Sequence, residues 1–177
     1  PMDPTSRKLL SIVLPAFNEQ DVLPLTYERF SKMEKTLDSL GFDYELVFVN
    51  DGSSDDTTRM LDELATKDSH IRAIHLTRNF GHQAAVTAGL QMASGDVIAV
   101  MDCDLQDPPE VLPQFLNAWR QGNQIVYAVR RKRKEWLGKR VAYWTFYRLM
   151  RAIAELDIPL DSGDFCVMDR SAVVLLN

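Results

Sequence analysis

Runs of apolar residues alternate with amphipathic segments along the first 129 residues of the chain. Five short apolar runs predict β-strands, at 9–15, 44–50, 72–77, 97–101 and 124–129. In the segments between them, apolar residues recur every three or four positions, which is the spacing of a helix with one buried face. This alternation of strand and helix predicts an α/β domain with a mainly parallel central sheet.

The pattern changes after residue 129. The segment 136–156 predicts one long amphipathic helix, with aromatic and aliphatic side chains on one face and three arginines on the other. Such a helix can lie at a membrane surface, or it can pack on its own domain with a solvated basic face. A short strand near 165–168 and a helix after Asp169 are predicted to follow. Because that helix reaches Asn177 after two turns, we expect the chain to be part of a longer protein.

Charge divides the chain at the same place. The 177 residues carry a formal net charge of −5, but 130–151 holds nine Lys and Arg against one Glu, a local charge of +8. The remainder carries −13. A basic segment on an acidic domain favours a phosphate-bearing ligand or a membrane surface over nucleic acid, which usually binds a broadly basic domain. We therefore predict a core domain at 1–129 and a distinct C-terminal segment at 130–177.

Composition narrows the class further. The chain is 46% hydrophobic and 25% charged, which is typical of a globular domain. Cys103 and Cys166 cannot form a disulfide framework, so we expect a reducing, intracellular setting. The sequence contains no run of about 18 apolar residues and begins with a polar segment, so neither a transmembrane helix nor a signal peptide is predicted. The chain as given is expected to be soluble.

Polar side chains follow the predicted strands at their carboxyl ends, where parallel α/β sheets bind ligands. Asp102 and Asp104 come directly after the fourth strand, and carboxylates two positions apart in a bent loop can bind one Mg²⁺ or Mn²⁺. Gln106 could add an amide oxygen to such a metal site. Asp51 ends the second strand, where a carboxylate can accept hydrogen bonds from a base or a ribose.

Two further residues follow the first strand. Phe17 offers a flat surface for a base, and Glu19 offers another hydrogen-bond acceptor. Each of these signals also has a purely structural explanation, because an Asp-x-Asp turn is common and both Asp51 and Glu19 suit helix starts. His82 invites a catalytic role, but a first-turn histidine with no acidic partner in the sequence is more often structural.

Five motifs stand in order along the chain, namely VLPAFNE (13–19), VNDGSSDDT (49–57), NFGHQAAVTAGL (79–90), DCDLQDPPE (102–110) and SGDFCVMDR (162–170). Together they resemble the family 2 glycosyltransferases. The resemblance is strongest to the polyprenyl-phosphate branch, which includes dolichyl-phosphate mannose synthase and bacterial undecaprenyl-phosphate glycosyltransferases. It covers nearly the whole chain and implies the GT-A fold, a Rossmann-like α/β/α sandwich.

The resemblance implies roles for ten residues. It places in the nucleotide pocket Pro15, Phe17, Glu19, Asp51, Asp102 and Asp104. It assigns the metal, Mg²⁺ or Mn²⁺, to Asp102, Asp104 and Gln106. Arg130 and Arg140 would bind the acceptor phosphate, and Asp164 would act with Asp104 as a catalytic acid near the acceptor. Cys103 replaces the usual small alanine between the aspartates, which we expect to be a tolerated exchange and not a thiolate ligand.

The implied activity is that of an inverting, metal-dependent hexosyltransferase. It would transfer a sugar from a nucleotide-diphosphate donor to an undecaprenyl or dolichyl phosphate at the cytoplasmic face of a membrane. Bacterial members with an Asn-Phe-Gly-His run mostly use UDP-sugars, so the resemblance favours UDP over GDP. The sugar, the polyprenol and the oligomeric state stay open. Family members continue into C-terminal membrane helices or an interfacial segment, which this chain does not reach.

Two other functions are compatible with the same residues. One is a family 2 transferase with a soluble or polysaccharide acceptor, against which the basic amphipathic segment argues weakly. The other is a non-catalytic nucleotide-binding domain, which has no need of the metal-binding pattern at 102–106. A nucleotidyltransferase or dinucleotide oxidoreductase would need a glycine-rich phosphate loop after the first strand, and Pro15-Ala16-Phe17 is not one.

Overall fold

The computed structural model describes residues 7–129 and 162–176. The elements are, in chain order, β1 (Lys8–Ala16), α1 (Leu23–Ser39), β2 (Phe42–Asn50), α2 (Thr57–Lys67), β3 (Ile71–His75), α3 (His82–Met92), β4 (Val97–Val100), a 3₁₀ turn (Pro109–Val111), α4 (Leu112–Arg120), β5 (Ile125–Val129), β6 (Ser162–Asp169) and α5 (Arg170–Leu176). The predicted strands are all present, with bounds that differ by at most three residues. The helix predicted at 136–156 lies outside the described residues.

The strands form one six-stranded sheet in the order β3-β2-β1-β4-β6-β5. β1 pairs in parallel with β2 and β4, and β2 pairs in parallel with β3. β6 runs antiparallel to β4, with Val100 opposite Cys166. The predicted α/β fold with a mainly parallel sheet is therefore confirmed. Because β6 is antiparallel, it enters the sheet at the same edge at which β1, β2 and β4 end.

The central strands are buried because apolar side chains cover both faces of the sheet. β1 is buried from Leu10 to Ala16, as its nearly unbroken apolar run predicts. On one face, α3 packs closely through Ala85 and Gly89, both buried. A Cβ atom on Gly89 would overlap the Val13 side chain and lie 3.1 Å from Val49 Cγ2. A glycine at this position therefore sets how near the helix lies to β1 and β2.

A buried polar cluster fixes the connection from α3 to β4 at the opposite edge of the sheet. The Glu45 carboxylate accepts a hydrogen bond from the Ser11 hydroxyl at 2.5 Å and another from the Ser94 N–H at 2.7 Å. Arg72 donates to the same carboxylate at 3.3 Å and to the Met92 carbonyl at 2.8 Å. These bonds satisfy a carboxylate that is only 9% exposed, and they hold the C-terminal end of α3 in place.

The chain divides into two compact units, one formed by 1–127 with 164–177 and the other by 128–163. The predicted boundary at 129 differs from this division, because the end of the predicted C-terminal segment returns to the core sheet. Phe165 and Val167 alternate with less buried neighbours and are themselves fully buried, which only a strand inside the sheet allows. Within 7–129 and 162–176, no helix has the length and apolar character that a membrane crossing requires.

Candidate functional site

A cavity of about 220 Å³ opens at the carboxyl edge of the sheet. Its walls come from the loops that follow β1, β2 and β4, and from the first turns of α3. The lining residues are Pro15, Ala16, Phe17, Glu19, Asp51, His82, Ala85, Asp102, Cys103 and Asp104. All six residues predicted for the nucleotide pocket are among them. Residues separated by up to 89 positions in sequence are thus brought to one place by the parallel strand order.

Several hydrogen bonds hold the loop after β1 against the loop after β2 and the start of α2. The Asn18 N–H donates to the Ser53 hydroxyl at 2.9 Å, and the Ser54 N–H donates to the Asn18 side-chain oxygen at 2.8 Å. The Glu19 N–H donates to the Thr57 hydroxyl at 2.9 Å. Asn18 has a φ of 56°, a left-handed conformation that asparagine tolerates better than most residues. The backbone of Glu19 is therefore fixed before any ligand binds.

The Asp51 side chain holds the loop between β3 and α3. It is 4% exposed, and its two oxygens accept hydrogen bonds from the N–H groups of Phe80 at 2.8 Å and Gly81 at 2.9 Å. The Arg78 guanidinium lies over the Phe80 ring, 4.2 Å from its centroid. Asp51 thus has a structural role that the sequence did not predict, in addition to its position in the cavity wall.

Gly52 allows the loop after β2 to touch the loop between β3 and α3. Its φ is 67°, and a Cβ atom at this position would lie 2.5 Å from the Asn79 nitrogen. We expect Gly52→Ala to lower the free energy of unfolding by about 3 kcal/mol, from backbone strain of about 1–2 kcal/mol together with this clash. Urea denaturation measures the loss. Gly122→Ala is the matched control, because Gly122 has a φ of 97° with nothing within 4 Å of its Cβ position. An equal loss in both variants would contradict the loop contact.

The Asp-x-Asp spacing presents two carboxylates on one side of the loop after β4. Cys103, between the aspartates, is 2% exposed, and its carbonyl accepts a hydrogen bond from the buried Thr26 hydroxyl at 2.8 Å. This bond ties the loop to α1. Asp102 and Asp104, on either side of Cys103, both line the cavity.

The loop then bends sharply. Leu105 has a φ of 60°, and the Gln106 N–H donates to Asp104 Oδ1 at 3.0 Å. The Gln106 side chain is exposed and is not among the residues that line the cavity. The structure therefore supports Gln106 as a backbone partner of Asp104. Its predicted role as a third metal ligand stays a prediction.

Four acids give the cavity strong negative character. The pKa of Glu19 is raised by burial and by the charges of Asp104, Asp55 and Asp102. The pKa of the Cys103 thiol is raised to about 12, first by burial and then by the charge of Glu19. The thiol is therefore protonated at neutral pH, in line with the expectation that it is not a thiolate ligand.

The raised pKa of Glu19 gives a testable pH dependence. The pKa of Glu19 in the folded protein is higher than the ordinary value of 4.5, so the ionised carboxylate is less favourable in the folded state than in the unfolded state. The free energy of unfolding therefore falls as pH rises through the folded-state pKa. In metal-free buffer we expect Glu19→Gln to raise the unfolding midpoint in urea at pH 7. The difference should disappear near pH 3, where the carboxyl is protonated in both states.

Glu28→Gln is the control with the opposite sign. The pKa of Glu28 is lowered by its hydrogen bond and charge contact with Lys32. The ionised carboxylate therefore stabilises the folded state at pH values above 4.5, the ordinary pKa of glutamate. This variant should therefore lower the midpoint slightly at pH 7. A fall in the midpoint of Glu19→Gln at pH 7 would contradict the charge repulsion inferred for the cavity.

These acids suit a hard divalent cation. Two carboxylates in one bent loop, beside a third whose pKa is raised by them, form an oxygen-rich site with excess negative charge. Within 7–129 and 162–176, no three His, Cys, Asp or Glu side chains are arranged as a complete metal-binding group. A cation bound here would therefore take its remaining ligands from water and substrate oxygens, as Mg²⁺ commonly does.

His82 is the lining residue that sequence reasoning set aside. Its Nδ1 lies 3.9 Å from Asp102 Oδ1, and its ring is 38% exposed. The acidic partner that the sequence lacked is supplied by a loop twenty positions away. One sequence signal did point to His82. It follows the third predicted strand, at 72–77, and so comes after the carboxyl end of that strand, where parallel α/β sheets bind ligands.

The remaining predicted residues are Arg130, Arg140 and Asp164. Arg130 and Arg140 fall outside the described residues. Asp164 belongs to β6, and the register of β6 with β4 places its backbone at the same edge of the sheet as the loop after β4. The fold therefore brings Asp164 to the correct edge, while its predicted role and those of the two arginines remain predictions.

Comparison with known proteins identifies the family. The family model described as glycosyl transferase family 2 matches residues 11–175, nearly the whole chain. The chain belongs to glycosyltransferase family 2. This family 2 glycosyltransferase is 45% identical over 161 residues to the uncharacterized glycosyltransferase YkcC of Bacillus subtilis, covering 90% of this chain and 49% of YkcC. It is 38% identical over 166 residues to a prophage bactoprenol glucosyl transferase homolog of Escherichia coli, and the match covers 93% of this chain and 53% of that protein.

The chain thus spans about half the length of these relatives. Among solved structures, the mannosyltransferase PcManGT of Pyrobaculum calidifontis, in complex with GDP-Man and Mn²⁺, has a TM-score of 0.67 at 19% identity, covering 99% of this chain and 48% of PcManGT. A second similar structure is the glucosyl-3-phosphoglycerate synthase of Mycobacterium tuberculosis in complex with Mn²⁺, UDP and phosphoglyceric acid. Its TM-score is 0.60 at 23% identity, and the match covers 93% of this chain and 56% of the synthase. These likenesses confirm the predicted GT-A fold of the family 2 glycosyltransferase.

Proposed function

We propose that the protein transfers a hexose from a nucleotide-diphosphate donor, preferably a UDP-sugar, to a polyprenyl phosphate. The observation that carries this proposal is the cavity itself, which is lined both by Asp102 and Asp104 and by Phe17 and Asp51. The acceptor class is supported by the 38% identity to the Escherichia coli protein named as a bactoprenol glucosyl transferase homolog. The local charge of +8 at 130–151 also suits an anionic lipid head group.

In the mechanism, the wall of the cavity binds the donor. Pro15 and Phe17 would contact the base, while Glu19 and Asp51 accept hydrogen bonds from the base or the ribose. Asp102 and Asp104 would hold Mg²⁺ or Mn²⁺, which offsets the negative charge that develops on the leaving diphosphate. A divalent cation held there would also offset part of the negative charge of the acidic wall, while the diphosphate would supply oxygen ligands to the cation.

The acceptor then attacks in a single displacement. An oxygen of the lipid phosphate forms a bond to the anomeric carbon as the bond from that carbon to the diphosphate oxygen breaks, which inverts the configuration. The attacking oxygen is already anionic near pH 7, so positioning contributes more than proton removal. Arg130 and Arg140 would bind the acceptor phosphate, since guanidinium groups bind phosphate through paired hydrogen bonds. Asp164 would orient the acceptor from the end of β6.

The proposed site of action is the cytoplasmic face of a membrane, where polyprenyl phosphate and nucleotide sugar meet. The basic segment would attract anionic head groups by about 1 kcal/mol per Lys or Arg near the surface. The primary test uses the full-length protein with UDP-glucose, Mn²⁺ and undecaprenyl phosphate in detergent, and follows glycolipid formation by thin-layer chromatography. Glycosylation of a soluble or polysaccharide acceptor in place of the lipid would overturn the proposed acceptor class.

Arg130→Ala tests the acceptor site separately from the donor site. We expect the KM for undecaprenyl phosphate to rise or kcat to fall by about tenfold, because one charge-assisted phosphate contact is lost. The dissociation constant of the nucleotide, measured by calorimetry, should stay within about twofold. Arg59→Ala is the control, since Arg59 is exposed on α2 and pairs with Asp56 and Glu63. An equal loss of nucleotide affinity in Arg130→Ala would contradict the acceptor role.

A further inference from the structure

His82 lies in the cavity without a role in the mechanism above. Among the described lining residues, it is the one whose side chain carries an N–H hydrogen-bond donor. The polar groups around it are carboxylates, which accept hydrogen bonds when ionised and cannot donate them. A nucleoside diphosphate presents several anionic oxygens, which need donors. Within 7–129 and 162–176, the cavity wall therefore offers that ligand a single side-chain N–H donor, beside the weak S–H donor of Cys103.

The packing of α3 fixes the position of His82. His82 is the first residue of the helix, and Ala85, one turn further on, is fully buried and lines the same cavity. Gly89, another turn on, allows the helix to approach β1 and β2 closely. The helix is also held at its other end by the cluster around Glu45. The imidazole is thus carried by a rigid element and not by a mobile loop.

The ion-pair distance between the ring and Asp102 is long. His82 Nδ1 lies 3.9 Å from Asp102 Oδ1, which exceeds the length of a hydrogen bond. No hydrogen bond joins the ring to another residue in the described part of the chain. The ring nitrogens are therefore available to a ligand, beside the carboxylate proposed to hold the cation.

We infer that His82 binds the diphosphate of the donor by donating an N–H to one of its non-bridging oxygens. This inference rests on the proposed function, because a cation held by Asp102 and Asp104 would take phosphate oxygens as ligands and so bring the diphosphate beside His82. The contact is assigned to the diphosphate and not to the base or ribose, because the proposed function gives the base and ribose to Pro15, Phe17, Glu19 and Asp51, which line the same cavity.

The test compares ligands with and without the diphosphate. The variants are His82→Leu, which removes the donor, and His82→Gln, which retains a side-chain N–H. Gln83→Leu is the matched control, because Gln83 is exposed on the same helix turn and does not line the cavity. Dissociation constants are measured for UDP, GDP, uridine and guanosine in the presence of Mn²⁺. The affinity for Mn²⁺ alone is measured by electron paramagnetic resonance.

For the nucleoside diphosphate that the wild type binds, we expect His82→Leu to weaken binding about tenfold. Binding of the matching nucleoside and of Mn²⁺ should change less than about twofold, and His82→Gln should recover part of the loss. Three results would overturn the inference: unchanged diphosphate affinity, an equal loss for the nucleoside, or a parallel loss of Mn²⁺ affinity, which would mean that His82 only orients Asp102. Failure of the folded wild type to bind either diphosphate with Mn²⁺ would overturn the proposed function as well.

Discussion

Replacing Asp104 by asparagine is expected to lower kcat/KM for the nucleotide sugar by about 1000-fold or more. The loss corresponds to about 4 kcal/mol of transition-state stabilisation, within the range that a bound cation contributes at a leaving group. Asp104 lines the cavity, and its Oδ1 is already oriented by the Gln106 N–H at 3.0 Å. Asparagine keeps the size of the side chain but removes the charge that a divalent cation requires. Steady-state kinetics on the full-length enzyme measures the effect.

The same substitution should remove the dependence of nucleotide binding on the cation. In calorimetric titrations of UDP and GDP, we expect the wild type to bind one of them tightly with Mn²⁺ and weakly with EDTA, and Asp104→Asn to bind weakly in both. Asp21→Asn is the matched control, because Asp21 is an exposed acid of the β1–α1 loop that does not line the cavity. Retained cation dependence in Asp104→Asn would contradict the proposed metal site.

Replacing Asp51 by asparagine is expected to affect both stability and donor binding. The buried carboxylate accepts two backbone hydrogen bonds, whereas an amide can accept one and would turn its NH₂ group toward the other N–H. One buried donor is left without an acceptor, so the free energy of unfolding should fall by about 2–3 kcal/mol. Because the loop at 78–81 is released, we also expect nucleotide affinity to fall more than tenfold.

Two measurements test the loss of stability and its origin in the loop, and calorimetric titration of the nucleotide measures the loss of affinity. Urea denaturation gives the loss of stability, and hydrogen exchange should show reduced protection at the N–H groups of Phe80 and Gly81. Asp56→Asn is the control in the same loop, since Asp56 is exposed and pairs with Arg59 on the surface. It should change stability by less than about 1 kcal/mol. Unchanged protection at Phe80 in Asp51→Asn would be incompatible with the loop contact described above.

Sequence patterns predicted the elements because their signals are local. The run from Leu9 to Pro15 predicted a buried strand, and the structure has β1 at Lys8–Ala16. The pair Asp102 and Asp104 predicted two carboxylates near one site, and both residues line the cavity at the carboxyl edge of the sheet. These inferences needed only the period of a strand and the preference of acids for strand ends. The five motifs then predicted the family, which the family model confirms.

Contacts between distant loops were outside the reach of these patterns. Nothing local to Asp51 shows that its oxygens accept hydrogen bonds from Phe80 and Gly81, because that contact depends on how two loops meet around Gly52. The position of His82 beside Asp102 likewise follows from the close packing of α3 on the sheet. The predicted boundary at 129 also missed the return of β6 to the sheet, since the sequence of a strand does not state its partner.

The sequence by itself determined the strand and helix pattern, the acids at the strand ends and the family of the protein. Periodicity and residue type carry that information, and both can be recognised within a few adjacent positions. The tertiary structure alone decided that β6 lies antiparallel between β4 and β5, which brings Asp164 to the ligand-binding edge. It also decided that Asp51 holds a loop and that His82 lines the cavity, because each depends on side chains that meet only when the sheet has formed.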